Sequence, residues 1–288
     1  MANSIGVSGV RIGHWTAPQA QTGCSVITLP EGTVGSGEVR GGAPASRELD
    51  LLALDKAVES IDAICLTGGS AFGLAAADGV MAYLEEHDRG VPTAAGKVPI
   101  VPTLGIYDLA GGDPSVRPTR ESGYAAAQAS EGDQILAGRI GAGTGAYVSQ
   151  WRGEDRRPGG VGYAEHHLGE LVVSVICVVN AFGDIDLGEA PISLESAEPI
   201  SQMIPTRTHT TVGAVLTNAQ LDKVGCQILA QGAHDGLARA LTPPHTRFDG
   251  DAFISAATGE VPTQVDVVRL LTVAATCDAI RSVGNQST

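Results

Sequence analysis

Two adjacent threonines, Thr210 and Thr211, begin a stretch of small and β-branched residues that continues to about Leu216. This composition predicts a buried strand. A threonine at the start of such a strand has a further chemical option. If the chain is cut before Thr210, the new N-terminus carries a hydroxyl nucleophile together with its own base, the α-amine. The alternative is that the two threonines only favour strand formation.

The segments on either side of Thr210 could expose and position it. Residues 187–208 contain three prolines and have no helical or strand period, so they predict an irregular linker. On the other side, Thr217 and Gln220 have the spacing of a capping box, which predicts that a helix begins there. A linker directly before Thr210 would suit a chain that is cut at this point.

Three further polar residues have simple structural explanations when taken alone. Asp249 and Asp251 flank Gly250, a pattern typical of a turn, and the two aspartates share a face only if the chain is extended. The remaining ligands of an EF-hand calcium loop are absent from this pattern. Asn180 ends a predicted strand and could bond a nearby backbone group.

Residues that could bind a metal or a nucleotide are placed unfavourably. Adjacent His166 and His167 would point to opposite faces of an extended chain, so we interpret them as part of a solvated loop. Residues 141–146 alternate glycines like a dinucleotide-binding loop, but Ala146 stands where the third glycine belongs and no helix-forming run follows. We therefore expect no metal and no cofactor.

Composition limits the class of protein. The chain has 288 residues, of which 43% are hydrophobic, enough for one large domain. Its net charge of −14 argues against a nucleic-acid partner, because phosphates are neutralised by clustered Lys and Arg. Five widely spaced cysteines fit a reducing compartment. With no signal-peptide pattern, and with apolar runs shorter than the roughly 20 residues of a membrane span, we expect a cytoplasmic protein with no membrane partner.

Short strand patterns separated by glycine turns alternate with a few helical ones. Strands are predicted at 5–12, 24–29, 33–39, 61–66, 99–104, 135–140, 160–163, 170–182 and 252–257. Helices are predicted at 51–58, 70–86 and 122–129, and again from residue 263. Layered strands with helices on the outer faces of sheets indicate an α+β fold, which we assign as a single domain over residues 1–288.

Several segments together resemble one family, the self-processing L-aminopeptidase/D-amidase-esterase (DmpA-like) family, which includes β-aminopeptidases and nylon-oligomer hydrolases. The resemblance covers nearly the whole chain in order, and the series of segments is more specific than any one of them. The matching segments are 40–44, 68–80, 98–102, 143–145, 179–181, 210–213, 233–239, 249–251 and 257–259.

The resemblance implies a four-layer αββα sandwich like that of N-terminal nucleophile hydrolases, with its own connectivity. It also implies a chain that cuts itself before a Ser or Thr while both fragments stay in one fold. Here the cut would fall between His209 and Thr210 and give fragments 1–209 and 210–288. Members of the family commonly form homo-oligomers.

The resemblance also implies the site residues. Thr210 matches the nucleophile, and Asn180 matches an asparagine that donates to the oxyanion. Tyr107 matches a tyrosine near the nucleophile. Asp249 and Asp251 match the pair that orients the nucleophile.

At three positions the chain departs from the family pattern. His209 stands where many relatives have Asn or Gly, and Phe72 stands where a tyrosine is frequent. Pro158 stands where some relatives have a lysine, so that cationic role is either taken by Arg157 or lost.

These observations favour an N-terminal-threonine amidohydrolase, an aminopeptidase or amidase-esterase that forms by autoproteolysis and acts through an acyl-enzyme. Its substrate would be a small peptide, an aminoacyl amide or an ester. One alternative is an unprocessed, non-enzymatic chain of the same fold with a binding or scaffold role, which His209 and Pro158 favour. Another is an acyltransferase of similar mechanism, as in the self-cleaving ornithine acetyltransferases.

Overall fold

The computed structural model of the chain describes residues 4–132, 136–189, 191–202 and 209–284. Ten strands within these ranges form two five-stranded sheets. In spatial order, the first sheet contains β1 (Arg11–Ala17), β2 (Thr22–Thr28), β5 (Ala63–Thr67), β8 (Thr103–Gly105) and β4 (Ala45–Arg47). The second contains β11 (Gly160–Leu168), β12 (Leu171–Asn180), β14 (Thr210–Ala219), β16 (Ala252–Val261) and β3 (Val34–Val39).

Short strand pairs and α-helices lie outside these two sheets. The strand pairs are β6 (Val91–Thr93) with β7 (Gly96–Val98), β9 (Tyr147–Val148) with β10 (Arg157–Pro158), and β13 (Asp184–Ile185) with β15 (Leu241–Thr242). The helices are α1 (Ala76–Glu86), α2 (Arg120–Ala129), α3 (Ala197–Gln202), α4 (Lys223–Ala240) and α5 (Val265–Gly284). Over the ranges given above, no helix has both the length and the apolar character needed to cross a membrane.

The two sheets face each other, and a pair of helices covers each outer surface. Helices α1 and α2 pack together over the first sheet, and α4 and α5 pack together over the second. Buried apolar side chains fill the space between the sheets and the space under each helix pair. Each fully buried aliphatic side chain favours the folded state by roughly 1.5–3 kcal/mol relative to exposure. The predicted four-layer αββα sandwich is confirmed.

Strand β14 lies in the middle of the second sheet and is buried along its whole length. It pairs antiparallel with β12 and parallel with β16. Side chains alternate along it, so Val212 and Leu216 face the first sheet while Val215 and Ala219 face the helices. Thr210 is two residues before Val212, and its side chain therefore lies on the face between the two sheets.

The helix predicted to begin at Thr217 begins later, at Lys223. The strand continues through Ala219 because the Thr217 hydroxyl donates to the carbonyl of Val172 at 2.7 Å, which ties it to β12. The observed N-cap is Asp222, whose carboxylate accepts the N–H of Gly225 at 2.7 Å. Tertiary pairing therefore outweighs a local capping pattern here.

The histidine pair predicted to lie in a loop is instead part of β11. His166 contacts Asp278 and His167 contacts Glu165, each at 2.8 Å. The hairpin of β11 and β12 turns at Gly169, because cross-strand pairing extends to Leu168 and Leu171.

Other predicted elements differ in extent. The strand predicted at 135–140 is not formed over residues 136–140, where Gly138 makes a single isolated bridge to Val161; residue 135 lies outside the described residues. The helix predicted at 51–58 is a single 3₁₀ turn at Asp50–Leu52. The irregular segment 187–208 contains α3, and residues 190 and 203–208 of it lie outside the described residues.

Candidate active site

Thr210 and Asn180 lie opposite each other, at the start of β14 and the end of β12. Directly opposed residues of an antiparallel pair have Cβ atoms about 5 Å apart and side chains on the same face. Both residues are nearly inaccessible to solvent, with Thr210 4% and Asn180 1% exposed. The sheet thus places a hydroxyl next to an amide between the two sheets.

The peptide bond before Thr210 is held within the second sheet. His209 forms a parallel bridge to Asp249, with the His209 N–H donating to the Phe248 carbonyl at 3.3 Å. The His209 carbonyl accepts the N–H of Gly250 at 2.9 Å. The Thr210 hydroxyl donates to the same carbonyl oxygen. Two donors therefore converge on this carbonyl.

Gly250 is required here by close approach of the surrounding atoms. The pairing offset of His209 with Asp249 is the same as that of Val212 with Ala252, which places Thr210 opposite Gly250. A Cβ atom at position 250 would lie 2.9 Å from the Thr210 Oγ1 and 2.7 Å from the Ala43 carbonyl oxygen. Glycine therefore leaves room for the hydroxyl beside a backbone N–H.

The two aspartates around Gly250 bond backbone and turn groups near the threonine. Asp251 accepts the N–H of Thr211 at 2.7 Å, and its other oxygen contacts the Nδ1 of His245 at 2.8 Å. Asp249 accepts the N–H of Phe182 at 3.3 Å and the N–H of Thr246 at 3.0 Å. Strand alternation puts Asp251 and Thr211 on the helix-facing side of the sheet, opposite the Thr210 hydroxyl.

Burial shifts the protonation of two groups at this end of the sheet. Burial, followed by the neighbouring charge of Asp251, raises the pKa of Asp249 to about 7. Burial lowers the pKa of His209 to about 4, which keeps its imidazole neutral near pH 7. The residue before Thr210 is thus uncharged and packed near the Phe182 ring, with 5.2 Å between ring centroids.

Asn180 is held by three groups. Its Oδ1 accepts the N–H of Tyr147 at 3.0 Å and the Nε2 of Gln150 at 3.1 Å. Its Nδ2 donates to the Tyr107 carbonyl at 3.0 Å. Nδ2 carries a second hydrogen, for which the described residues supply no acceptor. The amide is therefore fixed in orientation and retains one donor.

A cavity of about 180 Å³ adjoins Asn180. Tyr107 lines it, in the loop after β8 of the first sheet, so residues of both sheets meet at this opening. Thr210 is not among the residues that line it. The lining residues are Tyr107, Asp108, Ala110, Gly111, Gly145, Tyr147, Gln150, Arg156 and Asn180.

The cation at this cavity is Arg156, and not the Arg157 suggested by the sequence. Its guanidinium lies 4.1 Å from the centre of the Tyr147 ring. Arg157 is exposed and belongs to β10, where it pairs with Val148. Adjacent residues of an extended pair point in opposite directions, so only one of the two arginines can face the cavity.

The structure therefore brings some of the predicted site residues together and leaves others on the opposite face of the sheet. Thr210 and Asn180 are direct neighbours. Tyr107 contacts Asn180 through its carbonyl and lines the same cavity. Asp249 and Asp251 approach from the other side of the sheet through backbone groups. Of the residues that the sequence did not suggest, Gly250 is recognised only once the β14–β16 register is known, and Gln150 and Arg156 carry no local signal.

The arrangement offers a hydroxyl next to a carbonyl that accepts two hydrogen bonds, an amide donor and a cavity. These are the groups that acyl transfer uses. Over the described ranges, no group of three or more His, Cys, Asp or Glu side chains is arranged to hold a metal ion.

The proteins to which this chain is similar are peptidases and amide hydrolases. A sequence model of peptidase family S58 matches residues 3–286. An uncharacterized aminopeptidase of Mycobacterium leprae is 41% identical over 293 residues, covering 90% of this chain and 79% of that protein. A 6-aminohexanoate-oligomer endohydrolase of an Agromyces species is 28% identical over 272 residues, covering 88% and 74%.

Two solved structures share the fold. A β-aminopeptidase of a Burkholderia species superimposes with a TM-score of 0.72 at 22% identity, covering 96% of this chain and 85% of that one. The L-aminopeptidase D-Ala-esterase/amidase of Ochrobactrum anthropi, described as a variant of the Ntn hydrolase fold, gives a TM-score of 0.71 at 16% identity, covering 97% and 86%.

Proposed function

The chain belongs to peptidase family S58, and we propose that it is an amide hydrolase of the aminopeptidase and amidase type whose nucleophile is Thr210, freed by self-cleavage after His209. Membership of the family makes it a hydrolase. The observation that supports the proposed nucleophile is the His209 carbonyl, which accepts hydrogen bonds from the Gly250 N–H and from the Thr210 hydroxyl.

Self-cleavage would begin with attack of the Thr210 Oγ1 on the His209 carbonyl carbon. The Gly250 N–H, already 2.9 Å from the carbonyl oxygen, would stabilise the oxyanion that forms. Collapse of this intermediate breaks the peptide C–N bond, and the Thr210 nitrogen takes up the proton that the hydroxyl lost. An ester between His209 and the threonine side chain remains. Water then hydrolyses the ester and gives the His209 carboxylate and a free Thr210 hydroxyl and amine.

The released amine would supply the base for catalysis. A free α-amine has a pKa of roughly 7.7–8.0, so part of it is neutral near pH 7 and can take the hydroxyl proton. The Thr210 Oγ1 would then attack a substrate carbonyl and form an ester, while the leaving nitrogen receives the proton. Water hydrolyses this acyl-enzyme and regenerates Thr210.

Asn180 would donate its remaining amide hydrogen to the substrate oxyanion. Removing one such donor from another hydrolase lowered kcat by about 10²–10³. The backbone and side-chain bonds that hold the Asn180 amide keep it preorganised. Tyr107, on the cavity wall, could add a hydroxyl donor to the same oxygen.

Asp251 would fix the first peptide after the nucleophile by accepting the Thr211 N–H, and Asp249 would order the turn beside it.

The proposal is tested by trapping the acyl group. The purified protein is mixed with an alanyl ester or alanine p-nitroanilide, quenched in acid within milliseconds to seconds, and analysed by mass spectrometry. We expect hydrolysis and an alanyl adduct on the fragment of residues 210–288, mapped to Thr210. An adduct on another side chain, or turnover by a Thr210→Val protein, would rule out the assignment.

A further inference from the structure

The cavity beside Asn180 is lined by a cation and an anion that differ in their hydrogen bonding. One basic and one acidic side chain line it, Arg156 and Asp108. The Asp108 carboxyl is occupied, because its two oxygens accept the Gly69 N–H and the Thr22 hydroxyl, each at 2.7 Å. Burial also raises the pKa of Asp108. Of these two groups, Arg156 is therefore the one that remains available to a ligand.

The Arg156 guanidinium is held in place without being neutralised. It lies over the Tyr147 ring at 4.1 Å, and the Tyr147 hydroxyl is anchored on the Gln21 side chain at 3.1 Å. No carboxylate or carbonyl of the described residues pairs with this guanidinium. Arg139, on the same ring at 5.2 Å, differs because it donates to the carbonyls of Thr144 and Ala146.

We propose that Arg156 selects substrates that carry a carboxylate close to the scissile amide. An arginine fork matches a carboxylate with two parallel hydrogen bonds, and stacking on an aromatic ring orients the fork in advance. The cavity of about 180 Å³ is smaller than the roughly 300 Å³ at which drug-sized sites begin, so it fits one small residue and not a long chain.

This inference rests on the proposed function, since Asn180 would hold the scissile carbonyl and Arg156 lines the same cavity. Two sources of the carboxylate share this chemistry. It could be the C-terminus of a leaving amino acid, as in a dipeptide, or the side chain of an acidic acyl residue. The enzyme would then favour short substrates with a free carboxylate over the corresponding neutral amides.

The experiment compares two matched substrate pairs. The first pair is alanyl-alanine and alanyl-alanine amide, which differ only in the C-terminal carboxylate. The second is the glutamyl and glutaminyl p-nitroanilides, which differ only in the side chain. Values of kcat and KM are measured for the natural chain, for Arg156→Gln and for Arg157→Gln. The last variant is the matched control, because Arg157 is exposed and does not line the cavity.

We expect the natural chain to prefer the carboxylate member of one pair by roughly tenfold or more in kcat/KM, since hydrogen bonds to charged groups contribute about 1.5–3 kcal/mol. The pair that shows the preference identifies the source. Arg156→Gln should abolish this preference mainly through KM, and Arg157→Gln should keep it. Equal rates within both pairs, or a preference that survives Arg156→Gln, would overturn the inference.

Failure of the proposed function gives a different result, namely no hydrolysis of any of the four compounds. In that case, calorimetric titration of the natural chain and of both variants with alanyl-alanine and its amide tests the same carboxylate preference. Binding that does not distinguish the two compounds, or that Arg156→Gln leaves unchanged, would then contradict it.

Discussion

Asn180 is the cross-strand partner of Thr210, and its side-chain amide donates to the Tyr107 carbonyl at 3.0 Å. One pair of positions in the β12–β14 ladder therefore joins the proposed nucleophile to the proposed oxyanion donor. The Tyr107 contact extends this connection to the first sheet. A shift of one residue in the ladder would move one of the two side chains to the other face of the sheet.

The two adjacent threonines provide a matched test of the nucleophile. Thr210→Val removes the hydroxyl between the sheets, and we expect an uncut, inactive chain. Thr211→Val removes a hydroxyl that is buried on the other face and has no hydrogen-bond partner among the described residues, so cutting and activity should persist. Gel analysis and amide hydrolysis measure both effects. Loss of cutting in both variants, with both folded by circular dichroism, would contradict the distinction.

The amide donor of Asn180 is tested by a substitution that keeps the size and shape of the side chain. Asn180→Asp keeps the acceptor for Tyr147 but removes the donor, and we expect kcat to fall by about 10²–10³. Asn218→Asp is the control. Asn218 makes an equivalent pair of backbone bonds at the far end of β14, to Val172 and Glu170, each at 2.8 Å.

Both asparagine variants lose one buried bond and should lose stability by roughly 1–3 kcal/mol. Only the first should lose catalysis. Similar activities of the two proteins in a steady-state assay would remove Asn180 from the site.

Space beside the Thr210 hydroxyl is the next testable feature. Gly250→Ala would bring a methyl group to within 2.9 Å of the Thr210 Oγ1, so the hydroxyl must move away from the His209 carbonyl. We expect self-cleavage at least tenfold slower, followed on gels after expression in a short pulse. Gly132→Ala is the control, because its nearest neighbour would be 3.7 Å away. Equal cleavage rates would show that this close approach has no effect.

The buried Asp249 predicts a pH dependence of stability. Its pKa is raised to about 7 in the fold and is about 3.9 in an unfolded chain, so the folded state binds more protons between these values. The stability that Asp249 contributes is therefore lost as pH rises from about 4 through 7. We therefore compare the free energy of unfolding of Asp249→Asn with that of the natural chain, measured with urea at pH 5 and at pH 8. The difference should shift in favour of the variant by on the order of 2 kcal/mol from pH 5 to pH 8.

Two comparisons isolate this effect. His209 and His234 have pKa values lowered by burial to about 4, so their contribution rises with pH, but it is common to both proteins. In Asp235, burial is outweighed by hydrogen bonds from Arg269 and Arg40, and the pKa is lowered. Asp235→Asn should therefore change stability equally at pH 5 and pH 8. An equal change for Asp249→Asn would mean that its carboxyl is not perturbed.

Much of the candidate site could be predicted from the sequence, because the patterns that indicate it lie within short segments. The run of small and β-branched residues after Thr210 marks a core strand, and the series of glycine-containing segments indicates the family and with it the four layers. Asn180 closes an apolar run that is long enough to define a strand. The predicted homo-oligomer and the cytoplasmic location stay predictions.

The remaining features depend on pairing that a single sequence does not display. Thr217 and Gln220 have a capping-box spacing, yet the bond from Thr217 to Val172 keeps the chain in the sheet. The choice between Arg156 and Arg157 depends on a two-residue strand that turns one of them outward. The position of Gly250 opposite Thr210 follows only when the parallel register with β16 is known.

The most direct test of the central claim is the mass and N-terminal sequence of the purified chain. We predict two fragments of residues 1–209 and 210–288 that co-purify, the smaller beginning Thr-Thr-Val-Gly-Ala. Their masses should sum to that of the intact chain plus one water. A single species of 288 residues that hydrolyses amides would contradict the account, because an activity without a free Thr210 amine would require a different nucleophile or base.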